Sequence, residues 1–174
     1  MTIKEDLVDL LLKDTVAFNE QTKGNAEDLS EVDLSNTTIE GAVFDEVDLT
    51  SSSFADSQLT DVKFINCDLT SVDFTRATLT ECQFNESILN GADFSYATLN
   101  YCGFPDSDLA GAIVREADLS NSDFTMSENL SASRFDNTTI WPDSEYLPED
   151  FDSSYSDDLS SLKDEEDEYE QSDY

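Results

Sequence analysis

Large apolar residues recur at every fifth position over most of the chain. The series begins at Leu29 and runs unbroken to Phe124, and after one extra residue it resumes at Leu130, Phe135 and Ile140. An α-helix repeats every 3.6 residues and a strand every two, so neither element explains a period of five. The pattern predicts a solenoid of very short units, each of which forms one side of a coil and then turns a corner.

A second register lies two positions before each large residue. From Val32 to Ser122 this position always holds a small residue, namely Val, Thr, Ala, Ser or Cys. Residues i and i−2 lie on the same side of an extended backbone, so both are expected to point inward, and the second site has space only for a small side chain. The other three positions are mostly polar and are expected to form the outer surface.

At an interval of twenty residues, like side chains align with like. Two columns are formed by phenylalanine and two by leucine: Phe44, Phe64, Phe84, Phe104, Phe124; Phe54, Phe74, Phe94; Leu49, Leu69, Leu89, Leu109; and Leu59, Leu79, Leu99, Leu119. This interval favours a coil with four sides and aromatic ladders on two opposite sides. The shorter Leu/Phe alternation, with a period of ten, is also compatible with other even-sided coils.

The pattern closely resembles the pentapeptide-repeat family, whose consensus is roughly Ala-(Asp/Asn)-Leu-x-x. The units Ala-Asp-Leu-Ser-Asn at 117–121 and Ala-Asp-Phe-Ser-Tyr at 92–96 match it directly, and the resemblance covers about residues 26–140. It implies an all-β fold, a right-handed, four-sided parallel β-helix. We therefore divide the chain into an N-terminal capping helix and linker (1–25), the β-helix (26–140), and a C-terminal cap with an acidic tail (141–174).

The N-terminal segment predicts one short helix that covers the open end of the first coil. Thr2 and Glu5 have the spacing of a capping box, and the helix is expected to end near Asp14. Its expected apolar face consists of Ile3, Leu7, Leu10, Leu11 and Val16. Solenoids need such caps because exposed strand edges pair with other chains.

At the other end, the five-residue series slips within residues 125–129, which predicts a longer corner. The apolar residues beyond the last unit are expected either to fold over the end of the coil or to form a homodimer contact: Trp141, Tyr146, Leu147 and Phe151. Beyond about Asp152 the chain is rich in Asp, Glu, Ser and Tyr, which predicts a disordered acidic tail.

The chain offers little catalytic chemistry. It has no histidine, only five scattered glycines, and eight Lys and Arg against forty-one Asp and Glu. We therefore expect no enzyme activity, no cofactor, no metal site and no direct contact with nucleic acid. The N-terminus lacks the features of a secretory signal, no apolar run reaches the ~20 residues of a membrane span, and the three cysteines occupy inward positions. These features predict a cytoplasmic protein with buried free thiols.

The net charge of −33 is concentrated on the predicted coil and the tail. Residues 27–140 hold twenty-two acids and four bases, whereas residues 1–26 hold five acids and three bases. At ~4.8 Å per coil the rod would be ~28 Å long. It would then carry one net charge per ~1.6 Å, compared with ~1.7 Å for duplex DNA. A halophilic origin of this acidity would be expected to mark the N-terminal segment as well.

The acids lie in columns along the predicted rod. Asp28, Asp48, Asp68 and Asp108 share one column, and Asp33, Asp73 and Asp93 share the next. One interpretation is structural: aspartate before the large residue is usual in the family and hydrogen-bonds at a corner. The other makes these acids phosphate substitutes, with the following candidate partner-binding residues: Asp28, Asp33, Asp48, Asp68, Asp73, Asp93, Asp108, Asp118, Glu46 and Glu86.

Several pentapeptide-repeat proteins, notably those linked to quinolone resistance, are regarded as DNA mimics that bind DNA gyrase. The resemblance therefore implies an acidic rod that occupies the DNA-binding site of a topoisomerase such as gyrase, or of a host-defence nuclease. The chain lacks the longer projecting loops of some gyrase-protecting members. The alternative is a structural or regulatory scaffold that contacts partners through exposed residues such as Tyr96 and Tyr101. Cation binding is disfavoured because carboxylates at strand spacing do not form a closed oxygen cage.

Overall fold

Each coil of the chain uses twenty residues. In the computed structural model, which describes residues 3–154, Ile39 pairs in parallel with Leu59, which pairs with Leu79 and then Leu99. Phe44, Phe64 and Phe84 pair in the same register on the next side. Since a unit has five residues, the four-sided parallel β-helix is confirmed. We name its sides A, B, C and D after the units that contain Leu29, Leu34, Ile39 and Phe44.

Regular strands occupy sides C and D. Side C contains β1 (Thr38–Glu40), β3 (Gln58–Thr60) and β5 (Thr78–Thr80), and side D contains β2 (Val43–Asp45), β4 (Lys63–Ile65) and β6 (Gln83–Asn85). The longer strands β7 (Thr98–Gly103) and β8 (Asp118–Asp123) continue around the corner between these sides. Sides A and B are joined by single parallel bridges, such as the one between Asp48 and Asp68.

Two phenylalanine ladders fill the interior. Neighbouring rings within a ladder are nearly parallel, with centroids 4.5–5.2 Å apart, as for Phe64 and Phe84. Rings of different ladders meet edge to face at 6.0–6.4 Å, as for Phe64 and Phe74. Both arrangements are favourable for aromatic quadrupoles. The predicted ladders are confirmed, and they fix the orientation of all four sides.

The small inward residues form hydrogen bonds to backbone carbonyls, some within one coil and some to the preceding coil. Ser52 donates its hydroxyl to the carbonyl of Leu49 (2.7 Å), and Cys67 directs its thiol to the carbonyl of Phe44 (3.3 Å). The three cysteines are free and buried, and burial raises the pKa of Cys67 to about 11. The three cysteines therefore act as small core residues, and the Cys67 thiol stays protonated at neutral pH.

From Glu31 to Glu116 the chain turns each corner at the second residue after the large one. This residue has a left-handed backbone conformation with φ between +50° and +69°, and at most corners it is not glycine. Its N–H donates to a carbonyl of the next coil, as Glu46 does to Ile65 (2.9 Å). The corners therefore reverse the chain and join successive coils at the same point.

Two helices, rather than one, cover the N-terminal end. The first, α1 (Ile3–Lys13), ends one residue before the expected position, and Asp14 begins α2 (Thr15–Thr22) by accepting a hydrogen bond from the N–H of Ala17. The predicted apolar face is partly wrong: Leu7 and Leu11 are buried, but Ile3 and Val16 are exposed. A second helix was not predicted because its apolar residues are few. Thr2, the first residue of the predicted capping box, lies outside the described residues.

The open strand edge of the first coil is satisfied by α2. Asn19 donates its amide N–H to the carbonyl of Gly41 and accepts from the N–H of Val43, both at 2.9 Å. Beside it, Phe18 is fully buried. An asparagine side chain thus takes the place of the backbone of a preceding coil and blocks pairing with another chain.

At the C-terminal end the series slips twice. The first extra residue lies within the predicted range, at Asn129, because Glu128 still pairs with Asp108 at a spacing of twenty and Leu130 is the next buried large residue; Asn129 and the 3₁₀ turn Leu130–Ala132 form a longer corner. A second extra residue follows Phe135, because Ile140 pairs with Asp118 and so takes an outward position. The inward assignment of Ile140 is therefore wrong: its side chain is 54% exposed, and the following residue, Trp141, packs on the core instead.

Aromatic residues close this end. The ring of Trp141 lies 5.2 Å from that of Phe135 and 4.7 Å from that of Phe151, and Leu147 packs beside them. Three of the four predicted end residues thus fold over the last coil, while Tyr146, the last residue of the 3₁₀ turn Ser144–Tyr146, is exposed. The predicted disordered tail lies almost wholly outside the described residues. Within residues 3–154, no helix has the length and apolar character needed to cross a membrane.

Candidate acidic surface

The aspartates directly before the large residues form two columns at strand spacing. Column A, on side A, contains Asp28, Asp48 and Asp68, each bridged to the next, and it continues through Ile88 to Asp108 and Glu128. Column B, on side B, consists of residues 33, 53, 73, 93, 113 and 134, of which the first, third and fourth are aspartate. Asp118 belongs to side C, where it pairs with Thr98. The predicted columns are present, and Glu128 extends one of them.

The aspartates of these columns have a structural role. In each candidate Asp the Oδ1 atom accepts a hydrogen bond from the backbone N–H two residues later, at 2.8–3.1 Å. This is an Asx turn, which fixes the bend of the chain before each corner. Asp48 and Asp118 also accept from the hydroxyls of Thr50 and Ser120, both at 2.7 Å. The structural interpretation therefore explains why aspartate occurs at these positions.

Two aspartates near the N-terminal end have lowered pKa values. Hydrogen bonds from the Ser30 hydroxyl and from Lys4 lower the pKa of Asp28 to about 2, and the Lys4 Nζ lies 2.9 Å from its Oδ1. Hydrogen bonds from Ser35 lower the pKa of Asp33. Both carboxylates are therefore fully ionised at neutral pH, and part of the charge of Asp28 is paired.

The candidate glutamates occupy the corner between sides D and A. This D–A corner contains Glu46, Asn66, Glu86 and Asp106, all in the left-handed conformation. The three carboxylates are exposed and make no hydrogen bond or ion pair within the described part of the chain. They differ in this from the column aspartates. Asp106 was missing from the candidate residues, although its spacing of twenty from Glu86 places it in the same column.

The three arginines lie toward the side of the rod opposite the D–A corner. Arg76 and Arg115 belong to the corner between sides B and C, and Arg134 belongs to column B. Arg76 forms a two-point ion pair with Asp56 (Nε–Oδ1 2.7 Å, Nη2–Oδ2 2.8 Å), which lowers the pKa of Asp56 and raises that of Arg76. Lys63 lies at the far end of side D, 3.9 Å from Asp61.

The D–A corner and column A together therefore form one acid-rich edge of the rod, with Lys4 beside Asp28 at its N-terminal end. We call this surface the acidic edge; its acids are Glu46, Glu86, Asp106, Asp28, Asp48, Asp68, Asp108 and Glu128. The remaining candidates, Asp33, Asp73, Asp93 and Asp118, lie on other sides. No three carboxylates or thiols of residues 3–154 come together in a way that could hold a metal ion.

Comparisons with solved structures return other β-helices of this type. A structure of QnrB1, a plasmid-mediated fluoroquinolone resistance protein, is 14% identical, with a TM-score of 0.42, and the match covers 63% of this chain and 65% of that chain. A pentapeptide repeat protein from Nostoc Pcc 7120 is 23% identical over 79% of this chain and 88% of that chain, with a TM-score of 0.44. A pentapeptide repeat protein from the Arabidopsis thaliana thylakoid lumen is 27% identical over 70% of this chain and 72% of that chain, with a TM-score of 0.29.

No curated protein matches the sequence significantly. Family models give a direct assignment. A model of the pentapeptide repeat region matches residues 57–135, and a model of pentapeptide repeats in eight copies matches residues 28–64. Together they cover more than half of the chain, and the matched residues are those that form the twenty-residue coils. The chain therefore belongs to the pentapeptide-repeat family.

Proposed function

We propose that this chain is a non-enzymatic DNA mimic whose acidic edge occupies the DNA-binding site of a cytoplasmic DNA-processing protein. The candidate targets, a topoisomerase such as gyrase or a host-defence nuclease, follow from the family resemblance. The observation that carries the proposal is the presence of glutamate at corners where the backbone disfavours it.

A left-handed conformation costs an L-residue about 1–2 kcal/mol, whereas glycine adopts it freely and asparagine adopts it with less strain. Three described corners do carry glycine: Gly41, Gly91 and Gly111. Five others carry glutamate, namely Glu31, Glu46, Glu81, Glu86 and Glu116. Folding does not explain this choice, because the side chains of Glu46 and Glu86 make no bond within residues 3–154. Negative charge directed outward does explain it.

The spacing of the acids suits a basic groove. Successive carboxylates of one column lie ~4.8 Å apart, and the rod as a whole has nearly the charge density of duplex DNA. Such a surface attracts a positively charged cleft over a distance of about a Debye length, so binding should be fast and strongly weakened by salt. The arginines on the opposite side of the rod give the complex a preferred orientation.

A second candidate function is a scaffold whose acidity only maintains solubility. The observation in its favour is the exposure of Tyr96 (55%) and Tyr101 (68%), which lie on different corners. A scaffold of this kind would bind through these rings, and neutralising the acidic edge would leave its partners bound.

Capture followed by competition separates the two functions. The immobilised chain is loaded with host lysate at low salt and eluted with short duplex DNA, or with polyglutamate of equal total charge. We expect duplex DNA to release a DNA-processing protein at a concentration at which polyglutamate does not. Retention of every partner against duplex DNA would contradict the mimic and support the scaffold.

A matched pair of variants then tests the acidic edge. The first combines Glu46→Gln, Glu86→Gln and Asp106→Asn. The control combines Asp61→Asn, Glu81→Gln and Glu116→Gln, which removes the same number of charges from left-handed corners elsewhere. We expect the first variant to bind the released target at least about tenfold more weakly than the control. Equal affinities would show that the acidic edge is not the binding site.

A further inference from the structure

An open cavity of about 480 Å³ lies on side D, toward the C-terminal end of the rod. Its walls include Tyr101 and Asp123 from the coil, and Asp143 and Tyr146 from the segment that closes the end. A smaller cavity of about 140 Å³ shares its Gln83, Gly103 and Asp123 and reaches Met126 beside the D–A corner. Because they share three lining residues, the two form one groove on this side of the rod.

The groove exists because the regular pattern fails at three points. Pairing between β7 and β8 is irregular, with Asn100 opposite Asn121 instead of residue 120. Gly103 has no side chain in the column of side D, and the Gln83 side chain lies over it, since an added Cβ would be 2.6 Å from the Oε1 of Gln83. The end segment then forms the rim, because the N–H of Phe124 donates to the carbonyl of Tyr146 (2.8 Å).

The groups around the groove are suited to a cation. The exposed fractions of Tyr101 and Tyr146 are 68% and 44%, so both rings are accessible. Asp123 is held in place by hydrogen bonds from the N–H (2.9 Å) and hydroxyl (2.7 Å) of Thr125. The Asp143 carboxylate makes no bond to its own 3₁₀ turn or to any other group in residues 3–154. No Lys or Arg is among the described lining residues.

We infer that this groove is a receptor for an arginine side chain of the protein partner. A guanidinium group is planar, stacks on tyrosine rings, and forms paired hydrogen bonds with carboxylates, so it suits this set better than an ammonium group. The smaller cavity provides space for the flanking chain and leads toward the acidic edge. The inference rests on the proposed function only for the source of the arginine, since a DNA-binding site is rich in this residue.

The groove is tested with the full chain and a single-residue probe. N-acetyl-argininamide is titrated into the ¹⁵N-labelled protein and compared with N-acetyl-citrullinamide, which has nearly the same shape but no charge. We expect arginine to shift the amide signals of residues 101–103 and 121–123, with an apparent affinity at least about tenfold above that of citrulline. Equal shifts from both probes, or shifts spread evenly over all acidic corners, would overturn the inference.

Charge-neutral variants separate the groove from general attraction to an acidic rod. Tyr101→Ala with Tyr146→Ala leaves the net charge unchanged, and Tyr96→Ala is the matched control at another corner. We expect the double variant to lose the arginine shifts and the control to keep them.

A second variant, Asp143→Asn, removes one carboxylate from the groove. Asp143 is exposed, so this variant does not affect the packing of the rings, and it should weaken arginine binding severalfold. Unchanged arginine binding in both groove variants would overturn the inference.

The arginine receptor and the DNA mimic can fail independently of each other. The variant Glu46→Gln, Glu86→Gln, Asp106→Asn should lose the DNA-processing target but still bind N-acetyl-argininamide at the groove. If the groove variants bind arginine normally while the acidic-edge variant loses the target, the DNA mimic is retained and the arginine receptor is wrong. If arginine binds at the groove but duplex DNA releases no partner, the receptor is retained and the DNA mimic is wrong.

Discussion

The ring of Phe18 packs against the ring of Phe44 with centroids 5.5 Å apart and an interplanar angle of 64°. Phe44 is the first ring of a ladder whose later members stack in parallel, so Phe18 covers the end of that ladder from helix α2. The helix thus closes the apolar interior, while Asn19 closes the strand edge beside it. These two neighbouring residues perform the main functions of a solenoid cap.

Replacing Phe18 with alanine should therefore destabilise the whole N-terminal end. Loss of a fully buried aromatic ring typically costs about 3–5 kcal/mol, because the cavity collapses only partly. Val16→Ala is the matched control in the same helix, and as an exposed position it should change the free energy of unfolding by less than about 0.5 kcal/mol. Urea unfolding followed by circular dichroism measures both. Similar small effects for the two variants would show that α2 is not a structural cap.

The left-handed corners predict a substitution that raises stability. Glu86→Gly and Glu86→Gln remove the same charge, but only glycine relieves the strained backbone. Allowing for the greater freedom of glycine in the unfolded chain, the Gly variant should be about 0.5–1 kcal/mol more stable than the Gln variant. Both should bind the proposed target more weakly than the native chain, so stability and binding would change in opposite directions.

Glu128 provides the control for this comparison. It is an exposed acid of column A whose backbone is not left-handed. Here glycine should be less stable than glutamine by about 0.5–1 kcal/mol, because it only adds freedom to the unfolded chain. Thermal unfolding of the four variants gives the two differences. The same sign at both positions would contradict the assignment of strain to the corner.

Asp28 should contribute to stability in a pH-dependent manner. Its folded pKa of about 2 is below the ordinary value of 3.8, mainly because of the Ser30 hydroxyl and then Lys4. A group with a lowered folded pKa stabilises the native state above its unfolded pKa, and this contribution is lost as the pH falls through the folded value. The stability difference between the native chain and Asp28→Asn should therefore be constant above about pH 5 and decrease toward zero near pH 2.

Melting temperatures of both proteins between pH 7 and pH 2 measure this difference directly. The comparison removes the general effect of neutralising the other acids, which is common to both chains. Lys4→Met should raise the pKa of Asp28 in a ¹³C NMR titration, because it removes one of the groups that favour the ionised form. A difference that does not vary with pH would mean that the carboxylate charge makes no contribution.

The repeating part of this fold could be predicted almost completely from the sequence. A five-residue period determines which residues point inward, and the interval of twenty determines which of them stack, so the ladder from Phe44 to Phe124 follows from counting. The same interval places Asp48 above Asp28. It could also have added Asp106 and Glu128 to the candidate acids, because column membership depends only on position.

Features outside the repeat could not be predicted in the same way. Phe18 precedes the first unit, so no periodicity links it to Phe44. The groove on side D arises from an irregular β7–β8 pairing and from a distant segment that carries Tyr146, and neither has a local sequence signal. The hydrogen-bonding role of Asp28 and its equivalents was open because a carboxylate suits both an Asx turn and a charged surface.

The second slip of the series gives the sharpest test of the structure against the simple pattern. Continuing the five-residue count places Ile140 inside, whereas its pairing with Asp118 places it outside and moves Trp141 onto the core. Ile140→Ala should therefore lower the free energy of unfolding by no more than about 0.5 kcal/mol. Trp141→Phe should cost about 1–3 kcal/mol, because it opens a space beside Phe135 and Phe151. Unfolding in urea, followed by far-UV circular dichroism, distinguishes the two registers. A large loss of stability for Ile140→Ala together with a small loss for Trp141→Phe would mean that Ile140 points inward, as the uninterrupted five-residue period predicts. That result would contradict the observed end of the coil.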